Sequence, residues 1–86
     1  MNSSEMNLGD FGVTLLGRSG MRYREGPKTV FVDGEILSGA FDFVIYKSSI
    51  QAWEASKELI SESERDRIVA NIKNVCSNHG LKLDVE

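Results

Sequence analysis

The chain has 86 residues, of which 41% are hydrophobic and 27% are charged, a balance that fits one small folded domain. Ten Lys and Arg against thirteen Asp and Glu give a formal net charge of −3, which argues against a nucleic-acid binder held by a basic face. No apolar run approaches the roughly 20 residues of a membrane span. Residues 1–5 show no basic region followed by an apolar stretch, so we expect no secretory signal. The single cysteine, Cys76, makes no internal disulfide, so we expect a cytoplasmic protein.

The first half of the chain reads as a polar tail followed by strands. Residues 1–10 show little periodicity, so we expect a flexible tail before a single α+β domain over residues 11–86. Five short β-forming runs are separated by glycine turns, at residues 12–16, 21–24, 29–32, 35–37 and 41–46. Asp33-Gly34 predicts a hairpin turn. Because every connection is too short for a parallel crossover, the runs predict an antiparallel meander of about five strands, with the last of them central.

The second half has helical periodicity. A short helix is predicted to begin at Ser48 or Ser49. Ser61 and Glu64 then match a capping box, in which each residue satisfies a backbone amide of the other. Apolar residues recur on one stripe of the long helix that follows, which Gly80 should end: Ile68, Val69, Ile72, Val75 and Cys76. Residues 81–85 predict a final strand, and burial of the stripe against the sheet predicts a two-layer α+β domain.

Residue types that support catalysis or metal binding are scarce. The only histidine, His79, falls at the predicted helix C-terminus, where an imidazole suits the helix dipole. Cys76 lies on the apolar stripe and should behave as a small hydrophobe. One His and one Cys cannot form a structural zinc site, and no calcium-loop pattern is present. We therefore expect a protein that is not an enzyme and that uses no metal or cofactor.

Two other patterns have ordinary explanations. Gly17 and Gly20 resemble a phosphate-contacting glycine loop, but they separate two predicted strands, which favours a hairpin turn. Arg22, Arg24 and Lys28 form a small basic patch that neighbouring acids dilute, so nucleic acid is not the expected partner.

Six residues are candidates for contact with a partner protein. Four are carboxylates on adjoining turns and strands that could meet a basic partner: Glu25, Asp33, Glu35 and Asp42. The alternative is that these acids only keep a small protein in solution. Tyr23 and Trp53 could act as aromatic anchors if they are exposed. Trp53 falls in the connection between the predicted sheet and helix, so we expect it to pack in the core or as a lid over it.

Short runs across the folded region match the pattern of a known family. They are MRYREG at 21–26, VFVDGE at 30–35, FVIY at 43–46, and Ser48-Ser49-Ile50 with Trp53, followed by Ile60-Ser61, Glu64 and the helix that ends at Gly80. Together, over residues 20–83, they resemble the small bacterial immunity protein 74 family of polymorphic-toxin systems.

The resemblance implies a non-enzymatic protein that binds and neutralises a cognate protein toxin, such as a nuclease, made by the same cell or its kin. It assigns no residue to the toxin contact. A rival interpretation from another class is a small regulatory or ligand-binding α+β module, and a homo-oligomer formed through an open sheet face is compatible with that interpretation.

Overall fold

The computed structural model describes residues 5–17 and 19–86, and these residues form an α+β fold with two sheets. The first sheet has four strands, paired antiparallel in chain order: β1 (Met6–Leu8), β2 (Phe11–Leu15), β3 (Met21–Glu25) and β4 (Lys28–Val32). The second sheet has three strands, with β6 in the middle: β5 (Gly34–Ile36), β6 (Phe43–Ile45) and β7 (Leu83–Val85). A 3₁₀ helix (Lys47–Ser49) follows β6, and the α-helix α1 (Glu62–Asn78) precedes β7.

Strand β1 lies in the region expected to be a flexible tail. Met6 pairs with Val13 and Leu8 with Phe11 on β2, and the side chains of Met6 and Leu8 pack against the hydrophobic core. Three residues are too few to show a two-residue repeat in the sequence, so the pattern missed this strand. Residues 1–4 of the expected tail lie outside the described residues.

The predicted hairpin at Asp33-Gly34 is wrong, because β4 and β5 lie in different sheets. Asp33 carries the chain between them: its N–H donates to Ser49 Oγ at 2.9 Å, and its carbonyl accepts from Tyr46 N–H at 2.9 Å. Gly34 is buried, and a Cβ there would collide with the Val44 carbonyl. The glycine is therefore needed for close approach of two backbones rather than for a tight turn.

Strand β7 pairs parallel with β6, so that Phe43 faces Leu83 in the register. The connection between these two strands contains α1, which is long enough to return the chain in the same direction. The expected single meander is therefore corrected: four strands form the meander, and three form a mixed second sheet. Strand β6 is central, as predicted, and its three residues are buried.

The long helix begins as its capping box predicts. Ser61 Oγ accepts from Glu64 N–H at 3.2 Å, and Glu64 Oε1 accepts from Ser61 N–H at 2.9 Å. This backbone hydrogen bond lowers the pKa of Glu64 below its usual value. After the helix, Gly80 has a φ of +78°, the left-handed conformation that glycine adopts readily.

The short helix predicted to begin at Ser48 or Ser49 is instead the 3₁₀ helix, and no serine side chain caps it. Ser49 Oγ donates to the Tyr46 carbonyl at 2.6 Å while it accepts from Asp33. The serine thus stabilises the passage between the sheets. Beyond it, Ala52 and Leu59 form an isolated antiparallel bridge in place of further helix.

The helix stripe joins the two sheets into one core. Helix α1 contacts β1 and β2 of the first sheet and β7 of the second. Four of the five predicted stripe residues are buried: Ile68, Ile72, Val75 and Cys76. They share a continuous cluster with residues of both sheets, among them Val13 and Ile45. Burial of this apolar surface is the main favourable contribution to folding.

Replacing Ile72 by alanine should remove a fully buried side chain from the centre of this cluster. We expect Ile72→Ala to lower the free energy of unfolding by about 2–5 kcal/mol, measured by urea denaturation. Asn74→Ala, on the exposed side of the same helix, is the control and should change stability by about 0.5 kcal/mol or less. Equal stability of the two variants would show that the stripe does not anchor the core.

Candidate partner-binding site

The two aromatic candidates are core residues. Tyr23 is fully buried, and the Trp53 side chain is 2% exposed. Lys28 Nζ lies 5.3 Å from the centroid of the Trp53 ring, within the range of a cation–π contact. Core packing of Trp53 is therefore confirmed, and neither ring is available on the surface as an anchor.

The Tyr23 hydroxyl links strand β3 to helix α1. It donates to Glu25 Oε1 at 2.8 Å and accepts from Asn71 Nδ2 at 2.8 Å. Burial raises the pKa of Tyr23 well above its usual value, and the neighbouring Glu25 carboxylate raises it further. Glu25 also accepts from Arg67 Nη2 at 2.8 Å. Glu25 therefore helps to join strand β3 to helix α1, and it lies apart from the other candidate acids.

Both arginines of the small basic patch are paired with acids, while Lys28 lies over the Trp53 ring. Arg22 Nε lies 3.0 Å from Glu54 Oε1, and Arg24 Nε lies 2.6 Å from Glu5 Oε2. The hydrogen bonds from these arginines lower the pKa values of both glutamates. Little uncompensated positive charge is left on this strand to attract a nucleic acid.

Asp33 and Glu35 come together on one groove of about 760 Å³. We call this the acidic groove, and it is lined by Ser19, Asp33, Glu35, Ile36 and Tyr46. Glu35 Oε2 accepts from the Tyr46 hydroxyl at 2.7 Å. This hydrogen bond raises the pKa of Tyr46, helped by partial burial and by the negative charges of Glu35, Glu86 and Asp33. Among the described residues, no Lys or Arg nitrogen lies within 4.0 Å of either groove carboxylate.

Asp42 lies away from the acidic groove and has a structural contact of its own. Its Oδ2 accepts from the Lys82 N–H at 2.9 Å, and its own N–H donates to the Lys82 carbonyl at 2.8 Å. Asp42 also lines a hollow of about 240 Å³ together with Leu15, Ile36 and Leu37. The four candidate acids therefore occupy three separate places, and only Asp33 and Glu35 share one.

Exposed apolar side chains continue from the acidic groove. We call them the apolar strip, which consists of Leu15, Ile36, Leu37 and Phe41, connected through Leu81. Ile36 lines both the acidic groove and the 240 Å³ hollow, so the two surfaces are continuous. Sequence reasoning missed the strip, because apolar residues in predicted strands look the same whether the strand is covered or open.

The family comparison agrees with the pattern in the sequence. The profile of the family described as Immunity protein 74 matches residues 13–86. The chain belongs to the Immunity protein 74 family. Every residue of the acidic groove and of the apolar strip lies within the matched span. No curated protein and no solved structure matches the chain.

The described residues contain neither a cluster of metal ligands nor a helix that could span a membrane. Within residues 5–17 and 19–86, no group of three or more His, Cys, Asp or Glu is arranged to hold a metal ion. In the same part of the chain, no helix has the length and apolarity needed to cross a membrane.

Removing the Tyr23 hydroxyl should leave the partly buried Asn71 and Glu25 groups without a shared partner. We expect Tyr23→Phe to lower the free energy of unfolding by about 1–3 kcal/mol, measured by urea denaturation. Tyr46→Phe is the matched control, since it removes an exposed hydrogen bond, and it should cost less than about 1 kcal/mol. A Tyr23 variant as stable as the Tyr46 variant would contradict the role of the hydroxyl in joining β3 to α1.

Cys76 should be inert in the folded protein. Burial raises the pKa of its thiol to about 11, so the reactive thiolate is disfavoured in the folded state at neutral and mildly basic pH. We expect iodoacetamide at pH 8 to label the folded protein at least about tenfold more slowly than the chain unfolded in guanidinium. Equal rates, followed by mass spectrometry, would show that the thiol is accessible.

Proposed function

We propose that this chain is a non-enzymatic immunity protein that binds a cognate protein toxin and neutralises it in the cytoplasm of the producing cell. The observation that carries the proposal is the family match over residues 13–86. The single cysteine and the single histidine support it, because each has a structural role. Cys76 is buried, and His79 Nδ1 lies 3.0 Å from the Val75 carbonyl at the end of α1. Such a protein inhibits by occupying a surface of the toxin.

The charge of the chain favours a basic toxin, such as a nuclease. Enzymes that act on nucleic acids hold the phosphate backbone with Lys and Arg, so their substrate clefts are positive. The acidic groove and the net charge of −3 are complementary to such a surface. Complementary charge speeds association and excludes wrong partners, which suits a protein that must reach the toxin before the toxin reaches its substrate.

A second candidate function is a small regulatory or ligand-binding module that forms a homodimer. The exposed apolar strip is the observation that favours it, because open apolar patches commonly mark interfaces. The gene neighbourhood separates the two candidates. A toxin gene immediately upstream supports immunity, and an isolated metabolic operon supports the module.

Inhibition by binding should be stoichiometric. We expect co-expression of this chain to restore growth of cells that express the toxin domain encoded upstream. We also expect the purified protein to abolish toxin activity at one molar equivalent, because inhibition is complete when every toxin molecule is in a one-to-one complex. The measurement is a titration of residual toxin activity, with the mass of the complex determined by light scattering.

His79→Gln and Cys76→Ala are controls for a catalytic mechanism, and both should protect as well as the parent chain. Protection far below one equivalent, or its loss in the His79 variant, would contradict inhibition by binding alone. Failure of the parent chain to protect or to form a complex would contradict the immunity function.

A further inference from the structure

We propose that the toxin docks along strand β5 and covers both the acidic groove and the apolar strip. The docking surface of the toxin presents a Lys or Arg beside apolar side chains. The inference rests on the proposed immunity function and names the surface that performs it. The face is formed between β5 and two residues of the first half of the chain, Leu15 at the end of β2 and Ser19.

Most of the large hydrophobic side chains that are exposed lie on this face. Six large hydrophobic side chains are exposed among the described residues, and four of them belong to the strip. The other two, Phe31 and Leu59, line neither the groove nor the hollows beside it. Ile36 is 55% exposed at the junction of the groove and the strip. A partner that covers Ile36 therefore contacts both surfaces, and the burial of the strip supplies affinity.

The groove carboxylates require a cationic partner. Asp33 Oδ1 accepts from Gly34 N–H at 3.0 Å, and Glu35 Oε2 accepts from the Tyr46 hydroxyl. Each carboxylate thus has one hydrogen-bond partner and keeps further acceptor capacity on its oxygens. Covering two carboxylates with an apolar surface would cost their hydration without return, whereas a Lys or Arg replaces the lost hydration with charge-assisted hydrogen bonds.

A second copy of this chain fits the same edge poorly. Strand β5 has three residues and lies at the edge of the second sheet, with Glu35 at its centre. If two copies paired antiparallel about a two-fold axis through this centre, Glu35 would face Glu35. Like charges directly opposite in a sheet are destabilising. A foreign surface with a Lys or Arg at that position has no such penalty, so the charge of β5 favours the toxin over self-association.

The test measures binding of each variant to the immobilised, catalytically inactive toxin domain encoded upstream, at low and high salt. Asp33→Asn with Glu35→Gln removes both charges but keeps oxygens that accept the existing hydrogen bonds. We expect association about fivefold slower or more at low salt, and a weaker dependence of the rate on salt. The matched control is Glu58→Gln with Asp66→Asn, which makes the same change of charge at exposed positions elsewhere. It should bind within about twofold of the parent.

The apolar half of the face is tested by Ile36→Gln, with Leu59→Gln as the control at an 82% exposed position. We expect Ile36→Gln to dissociate about tenfold faster or more, and Leu59→Gln to match the parent. Circular dichroism of each variant confirms that the fold is retained.

The outcomes separate this inference from the immunity function. If the parent binds and all variants bind alike, the docking face is wrong while the immunity function stands. If the parent does not bind the toxin domain, both fail. If the parent is a dimer that Ile36→Gln converts to a monomer, the face is an interface between copies, and the inference is overturned.

Discussion

The passage from the first sheet to the second at Asp33 is the contact on which the proposed docking face depends. A single residue separates β4 from β5, and its N–H, its carbonyl and its carboxylate all form hydrogen bonds: to Ser49, Tyr46 and Gly34. Ser49 of the 3₁₀ helix and Tyr46, the residue just before that helix, are two of those three partners. The chain leaves the first sheet here, and the acidic groove and the 240 Å³ hollow are both lined by residues of β5. The change of sheet thus places β5 beside the concave surface.

A second polar contact holds the helix in its position over the first sheet. The Tyr23 hydroxyl lies between Asn71 of α1 and Glu25 of β3, and Arg67 of α1 reaches the same carboxylate. These groups satisfy one another's hydrogen-bonding capacity at the boundary of an otherwise apolar interface, where an unpaired polar atom would be costly. The helix therefore has a defined rotation as well as a buried stripe. Glu25, beside the helix, stabilises the fold, whereas Asp33 and Glu35 form no ion pair among the described residues.

Local features of the sequence predicted the structure well, and features that depend on distant residues did not. Ser61 and Glu64 predicted the start of α1, because a capping box involves only neighbouring residues. Gly80 and the stripe predicted its end and its buried side for the same reason. The Asp33-Gly34 pair predicted a hairpin that does not form, because Ser49 and the close packing of Gly34 against Val44 decide the path of the chain there. Propensity is overridden by tertiary contacts at this point.

In the candidate site, too, local features were predictable from the sequence and features that depend on distant residues were not. Asp33 and Glu35, two positions apart on an extended chain, were predictable as neighbours. The burial of Tyr23 and the separation of Glu25 and Asp42 from the groove depend on how the helix and sheets pack. Ile36 could not be assigned to the surface from the sequence, because its exposure reflects the edge position of β5.

The parallel pairing of β7 with β6 has a consequence for the timing of protection. The central strand of the second sheet, Phe43-Val44-Ile45, is completed only when Leu83–Val85 reaches it from the far end of the chain. Closing so large a loop is entropically costly, so this pairing should be a late event in folding. Until then, an apolar strand edge is open and prone to aggregation. Under the proposed function, a chain whose last strand has not docked gives no protection. The rate at which β7 pairs with β6 then limits how quickly a cell replaces its supply of folded protein.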